Sequence, residues 1–285
     1  MRSIGRGTVP FAVPVLLAAV LTALSGCTGG DGAPRPTASP RHLDARTAAE
    51  LRAVEQATVR AGSARISSTT VMGSLLSTRS EGTLDWAGDS TGTLTITYTA
   101  GTLAAPLRAL GSTTMEARLL PDAYYARVGA EFARRIGGRH WIRYDYDDLA
   151  GLPGSSGGYL RDQLRNTAPV PPVRLLLASG DARAVGEETV AGRRARHYTG
   201  TVDVASLAEG ALKKQLTDAG VRSEQIDLWV DDRHLIVKKT EKAAMTTGLM
   251  TQTATYGTYG VPVAVQRPPA ADTKDFADLM RTGEP

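Results

Sequence analysis

Between Thr93 and Thr99, threonine alternates without a break with Leu94, Ile96 and Tyr98. A period of two puts the threonines on one face of an extended chain and the three apolar side chains on the other, which predicts a strand with one face on an apolar interior. Residues 115–119 alternate in the same way, and residues 123–128 and 141–145 read as two further strands joined through a loop containing Gly137-Gly138. Residues 183–190 and 194–202 flank Ala191-Gly192, and residues 225–230 and 235–240 flank the run from Asp231 to His234; both pairs read as hairpins. Residues 246–256 are strand-like, and residues 261–265 read as a last strand that Pro262 confines to an edge. Short strands repeated between turns predict a large antiparallel sheet.

Helical spacing is confined to a few places. Leu51, Val54, Thr58 and Ala61 share one face of a helix over residues 44–61. Asp44 can cap it, Thr47 and Glu50 have capping-box spacing, and Gly62 marks its end. Residues 205–219 read as a second long helix, with Leu207, Ala211, Leu212 and Leu216 on one side and Gly220 closing it. Residues 150–172, rich in Gly, Ser and Pro, interrupt the sheet as a lid or rim, with short helices at 159–166 and 173–179. Residues 272–280 can form a short helix. The fold class expected is α+β.

The N-terminus carries a different signal. Arg2 and Arg6 precede a stretch of 16 uncharged residues, 9–24, followed by Ser25, Gly26 and Cys27. A positive start, an apolar middle and a small-residue exit describe a secretory signal segment. With Pro10 and Pro14 inside it, the stretch falls short of the ~20 residues that span a bilayer. The run Leu24-Ser25-Gly26-Cys27 resembles the lipobox of bacterial lipoproteins. The resemblance implies cleavage before Cys27 and acylation of its thiol, and two acyl chains hold a protein firmly on a membrane. Cys27 is the sole cysteine, so lipid on it leaves no thiol for a disulfide, a zinc site or a nucleophile. Residues 28–42, TGGDGAPRPTASPRH, have no apolar period and read as a linker. Fully extended, its 15 residues reach about 50 Å. The expected division is therefore 1–26 signal peptide, 27–42 acylated cysteine and flexible linker, and 43–285 a single domain.

Charge and motifs narrow the chemistry. Without residues 1–26, Lys plus Arg falls from 33 to 31 against 29 Asp plus Glu, a balance of +2. That is too weak to argue for nucleic acid, and Arg193-Arg194-Ala195-Arg196 and Lys238-Lys239 read as solvated strand ends. Gly154-Ser155-Ser156-Gly157-Gly158 matches the pattern of hydrolase elbows, but no strand feeds it, as that mechanism needs. His42, His140, His197 and His234 are not spaced as metal ligands, and Asp145, Asp147 and Asp148 read as a solvated loop. There is no Walker or dinucleotide fingerprint. No catalytic residue, metal or cofactor is expected.

Four segments, in order, resemble the LppX/LprG family of actinobacterial lipoproteins, relatives of the LolA/LolB lipoprotein carriers. They are Val190-Ala191-Gly192, the run from His197 to Asp203, Leu228-Trp229-Val230-Asp231, and the run from Tyr259 to Val263 with Pro268 after it. The hairpin after Trp229 departs from the pattern, because Asp231-Asp232-Arg233-His234 lacks a glycine and a proline. The resemblance implies a curved, unclosed half-barrel with helices on its concave side, holding acyl chains between sheet and helices. By alternation the candidate lining is Leu94, Ile96, Tyr98, Met115, Ala117, Leu119, Val128, Leu228 and Val230. The same positions would build a solid core equally well. The function expected is a membrane-anchored monomer on the outer face of the cell membrane, palmitoylated or similarly acylated at Cys27. It would bind and carry a lipid or acylated ligand without catalysis. The alternative is an envelope sensor that binds a membrane protein, such as an anti-sigma factor, through its surface.

Overall fold

The computed structural model describes residues 43–102, 104–109, 113–150, 168–218, 220–245 and 248–282. Helix α1, Ala45–Ala61, starts where the sequence places it. The Asp44 carboxylate accepts the Thr47 N–H at 2.9 Å and the Thr47 hydroxyl at 2.7 Å, which satisfies one orphan donor of the first turn. The cap is thus Asp44 alone. Glu50 makes no capping box, because its carboxylate is drawn to the sheet. Gly62 ends the helix at φ 68°, a left-handed conformation that costs glycine little.

Two meanders follow. The first comprises β1 Ser63–Met72, β2 Leu76–Asp85, β3 Thr91–Ala100, β4 Thr114–Leu119, β5 Ala123–Arg127 and β6 Trp141–Asp145. The second comprises β7 Ala182–Val190, β8 Arg193–Asp203, β9 Ser223–Val230, β10 Ile236–Met245 and β11 Gly248–Gly257. Antiparallel pairing of β1 with β11 joins them, and β12, Thr273–Asp275, adds in parallel to β6. The order is β12-β6-β5-β4-β3-β2-β1-β11-β10-β9-β8-β7, an unclosed sheet of 12 strands. Register shifts at Ser77/Thr78, Ala184/Gly186 and Ile236/Lys238 are of the kind that bends strands and increases twist.

Helix α5, Val170–Ser179, lies against β8 and alongside α1. A Cβ on Gly200 of β8 would sit 2.1 Å from the Asp181 carbonyl oxygen and 2.7 Å from a Leu176 methyl. Glycine is what lets α5 approach the strand. The remaining described helices are short: α2 Ala104–Ala109, α3 Ala130–Arg135, α4 Tyr146–Ala150, α6 Ala211–Asp218 and α7 Phe276–Thr282.

The β7–β8 turn places Ala191 at φ 49° and Gly192 at φ 76°, as a two-residue hairpin turn requires. In the β9–β10 turn, Asp231 Oδ1 accepts the backbone N–H groups of Arg233 and Leu235 at 3.1 and 2.9 Å, while His234 takes φ 60°. An aspartate side chain thereby organises a turn that has no glycine.

Three expectations are corrected. Residues 205–219 are not one helix: Val204–Ser206 is a 3-10 turn, and α6 begins only at Ala211. Leu207 is extended so that it can bury in the core, and Gly210 precedes the helix start. Residues 261–265 are no strand. Pro262 has no N–H to donate, and this stretch is held only at its start, where Gly260 N–H meets the Ser63 carbonyl and Ser63 Oγ donates to the Val261 carbonyl. The final strand is β12 instead, and the C-terminal helix starts at Phe276 rather than Asp272. The Gly137-Gly138 connection, expected as a loop, also contains α3.

Candidate functional site

The sheet register decides which side chains share the concave face. Leu94 pairs with Gly82 and Ala117, Ile96 with Ser80 and Met115, and Leu228 with Tyr198 and Lys239. Leu94, Ile96, Ala117, Leu119, Leu228 and Val230 are all buried in one apolar cluster. Tyr98 and Met115 pack against it, half-buried. Helix α1 adds Leu51 and Val54, and α5 adds Val173 and Leu176. Eight of the nine candidate residues therefore meet between sheet and helices. Val128 does not: it follows β5 and joins a separate cluster with Ile136, Ile142 and Leu279, under α3 and α7.

Near the β3–β5 end of this interior the lining is aromatic and soft. The hydroxyls of Tyr98 and Tyr124 both point at Met115 Sδ, at 3.7 and 3.2 Å. The Tyr124 and Tyr144 rings lie 5.3 Å apart, and Tyr144 stacks on Phe276 at 4.8 Å. Burial pushes the Tyr98, Tyr124 and Tyr144 hydroxyls up from their ordinary values, so this end of the interior carries no charge at neutral pH.

At the opposite end a polar seam ties α1 to β8. Tyr198 donates to Glu50 Oε2 at 2.6 Å, and Arg196 donates to both Glu50 oxygens at 2.8 Å. Burial opposes the charge on Glu50, yet Tyr198, Arg196 and Arg46 outweigh it and hold the carboxyl below its ordinary value. Burial and Glu50 push Tyr198 up to about 12. A carboxyl depressed on folding contributes stability above its unfolded value, and that stability is lost as pH falls through the folded one. Tyr198→Phe should therefore cost about 1–2 kcal/mol at pH 7, after discounting for the partial exposure of Glu50. Acid titration of melting should show the mutant penalty shrinking below about pH 4; a penalty constant down to pH 3 would show that Glu50 is not its source. The adjoining groove, about 530 Å³, is lined by these residues with Arg193, Asp231 and Arg233. Its arginines are matched by carboxylates: Arg194 with Glu187 at 3.2 Å, Arg233 with Asp231 at 3.3 Å. It is thus no anion site.

The central strands hold what sequence reasoning missed. Lys239, expected at a solvated strand end, is 1% exposed and faces the interior opposite Leu228. Its ammonium lies 2.5 Å from Glu241 Oε2, on the same face. Across β11, β1 and β2 the same rows continue with Gln252, Thr70 and Thr78, and with Ser68 and Ser80. Alternation gives the period but not the face, and a Lys-x-Glu pattern normally points outward. The other basic run keeps the expected position at Arg194 alone, 82% exposed.

The remaining candidates are quickly placed. His140 meets Asp272 Oδ1 at 2.8 Å, and His197 meets Asp227 Oδ1 at 2.9 Å with its ring stacked on Trp229. Among the described residues no group of His, Cys, Asp and Glu could hold a metal ion, and no helix is long and apolar enough to cross a membrane. Cys27, His42, the Gly154–Gly158 run and residues 159–166 lie outside the described residues.

No family model matches the chain. It is 50% identical over 290 residues to SCO4650 of Streptomyces coelicolor, whose name marks it as a candidate lipoprotein, with 96% of each chain covered. It is 45% identical over 246 residues to a 31.2 kDa protein of Streptomyces griseus encoded in the rplA–rplJ intergenic region, covering 82% of this chain and 81% of that one. In structure it resembles the Mycobacterium tuberculosis lipoprotein LppX at a TM-score of 0.51 and 16% identity, covering 79% of this chain and all of that one.

Proposed function

Because the chain belongs to the family of Streptomyces coelicolor SCO4650 and shares the LppX-type, LolA-like half-barrel, we propose that it is a lipoprotein that binds acyl chains between sheet and helices and carries them in the cell envelope. The carrying observation is the convergence of Leu94, Ile96, Ala117, Leu119, Leu228 and Val230 on one apolar body roofed by α1 and α5. Burial of alkyl chains there supplies ~0.8 kcal/mol per CH₂ and asks for few polar contacts. The protein acts without catalysis, as a monomer, exported and anchored on the outer face of the membrane by lipid on Cys27. Native mass spectrometry of the purified protein should find added mass corresponding to lipid. A protein that carries no lipid after expression in an actinobacterial host, and takes up none from vesicles, sinks this reading.

A second reading has one observation behind it. The edge strand β7 is exposed from Arg183 to Thr189, with Val185 turned to solvent, and its outer edge pairs with no other strand among the described residues. Such an edge can accept a strand from another protein, as an envelope sensor would use it. Crosslinking from Val185 in intact cells would capture such a partner.

A further inference from the structure

A half-barrel that held only hydrocarbon would have an apolar inner face throughout, and this one does not. Across β9, β10 and β11 the inner face carries Glu224, Lys239, Glu241 and Gln252, each less than 9% exposed. Lys239 and Glu241 stand opposite Leu228 and Ile226, both members of the main apolar cluster, so the two charges are inside the fold. Glu224 stands two places farther along β9. On one side of this band lies the main cluster, and on the other a small one of Val204, Val221, Ala243 and Met250.

Lys239 neutralises Glu241, which leaves Glu224 over. Glu224 Oε2 has no hydrogen-bond partner among the described residues, and neither has the hydroxyl of Tyr256, 1% exposed and within electrostatic reach of Glu241. Burial, and then the Glu241 carboxylate, raise the Glu224 carboxyl well above its ordinary range against the opposing effect of Lys239. A protonated Glu224 is a donor as well as an acceptor. A buried polar group left unpaired costs stability, so the Glu224 carboxyl next to the ion-paired rows is short of a partner.

We infer that this inward-facing band on β9–β11 is a polar subsite that takes the neutral, hydroxyl-bearing head group of an acylated ligand, an acylglycerol in its simplest form, while the alkyl chain lies against the main apolar cluster. The inference rests on the acyl-binding reading above and adds the head group. Glu224 offers a donor and an acceptor to hydroxyls, and Gln252, beside Glu241 in the register, adds an amide. The Lys239–Glu241 pair presents both signs with no net charge. An anionic head group would meet Glu241 as well as Lys239 and gain nothing, and a fatty acid would bring an uncompensated carboxylate into a space that has no net positive charge.

The test uses the full chain in phosphatidylcholine nanodiscs with two photoactivatable probes of identical alkyl chain, monopalmitoylglycerol and palmitic acid. The glycerol probe should label β9–β11 about ten-fold more than palmitic acid, the size of one to two net hydrogen bonds. Lys239→Met with Glu241→Leu should bring the two yields together while palmitic acid labelling persists. Replacing a buried ion pair by apolar residues of similar volume is commonly tolerated, and Glu224→Gln, which keeps the shape, should reduce the preference on its own. Equal labelling by both probes in the wild-type chain overturns the head-group subsite and leaves acyl binding intact. Labelling by neither overturns the acyl-binding reading itself.

Discussion

Replacing Ala117 with tryptophan is expected to empty the domain of bound lipid with little change in its melting temperature. Ala117 is fully buried on β4, between Leu94 of β3 and Ala126 of β5 in one row across the sheet. Its methyl group points into the same apolar body as Leu119, two residues on, and its row runs on through Ala126 to Ile142 of β6. An indole added there projects into that apolar body. If an acyl chain occupies this space, the ring takes its place and buries comparable apolar area, so stability is nearly conserved. If the interior is solid, the ring overpacks it at a cost of about 1–3 kcal/mol. For a domain of this size each kcal/mol lowers melting by roughly 2–4 °C. Native mass spectrometry and a melting curve on the same two samples separate these outcomes. Loss of the lipid mass at an unchanged melting temperature supports a carrier. No lipid in either protein together with a clear drop in melting temperature would refute it, and would shift the weight to a surface function at β7.

The second large effect concerns location. Cys27→Ser should abolish firm attachment to the membrane, leaving the chain either unprocessed or released in soluble form. Residues 9–24 are shorter than a spanning helix and carry Pro10 and Pro14. Among the described residues no helix could substitute for them. On the proposed anchoring, attachment would rest on acyl chains at one thiol, and there is no second cysteine to accept them. A single chain gives only marginal binding and two give a stable anchor, so removing the thiol removes the whole term. Fractionation of cells expressing the variant tests this directly. A processed Cys27→Ser protein that sediments with membranes after a high-salt wash would rule out the anchor.

The two effects are connected by the linker. If residues 28–42 are a linker on an acylated Cys27, as the sequence predicts, about 50 Å at full stretch would keep the domain near the bilayer from which a ligand would come. Leu43, just past the linker, is fixed to the domain by its N–H donating to the Gly180 carbonyl at 2.7 Å. Gly180 follows α5, and α1 and α5 pack together over the concave face. Leu43, the first described residue, therefore lies at the helical roof of the proposed site.

Local interactions were enough to determine much of this from sequence. The period-two runs at 93–99 and 115–119 give strands wherever they are placed, because alternation needs only one buried face to be satisfied. The Asp44 cap and the Gly62 stop are settled within a turn of helix. The Ala191-Gly192 hairpin is settled by which residues tolerate positive φ. Where a local signal competed with burial, the tertiary structure decided. Leu207 left its helix to enter the core, and residues 261–265, with a proline that has no N–H to donate, never joined the sheet. The identity of the inner face was decided in the same way. Sequence assigned it correctly on β3, β4 and β9, where apolar residues mark it. On β10 the run Lys238-Lys239 argued for a solvated strand end, and only pairing with Leu228 and Ile226 turned Lys239 and Glu241 inward. A strand's period is a property of its own residues, but its face is fixed by its neighbours' register, and those neighbours lie far away in the chain.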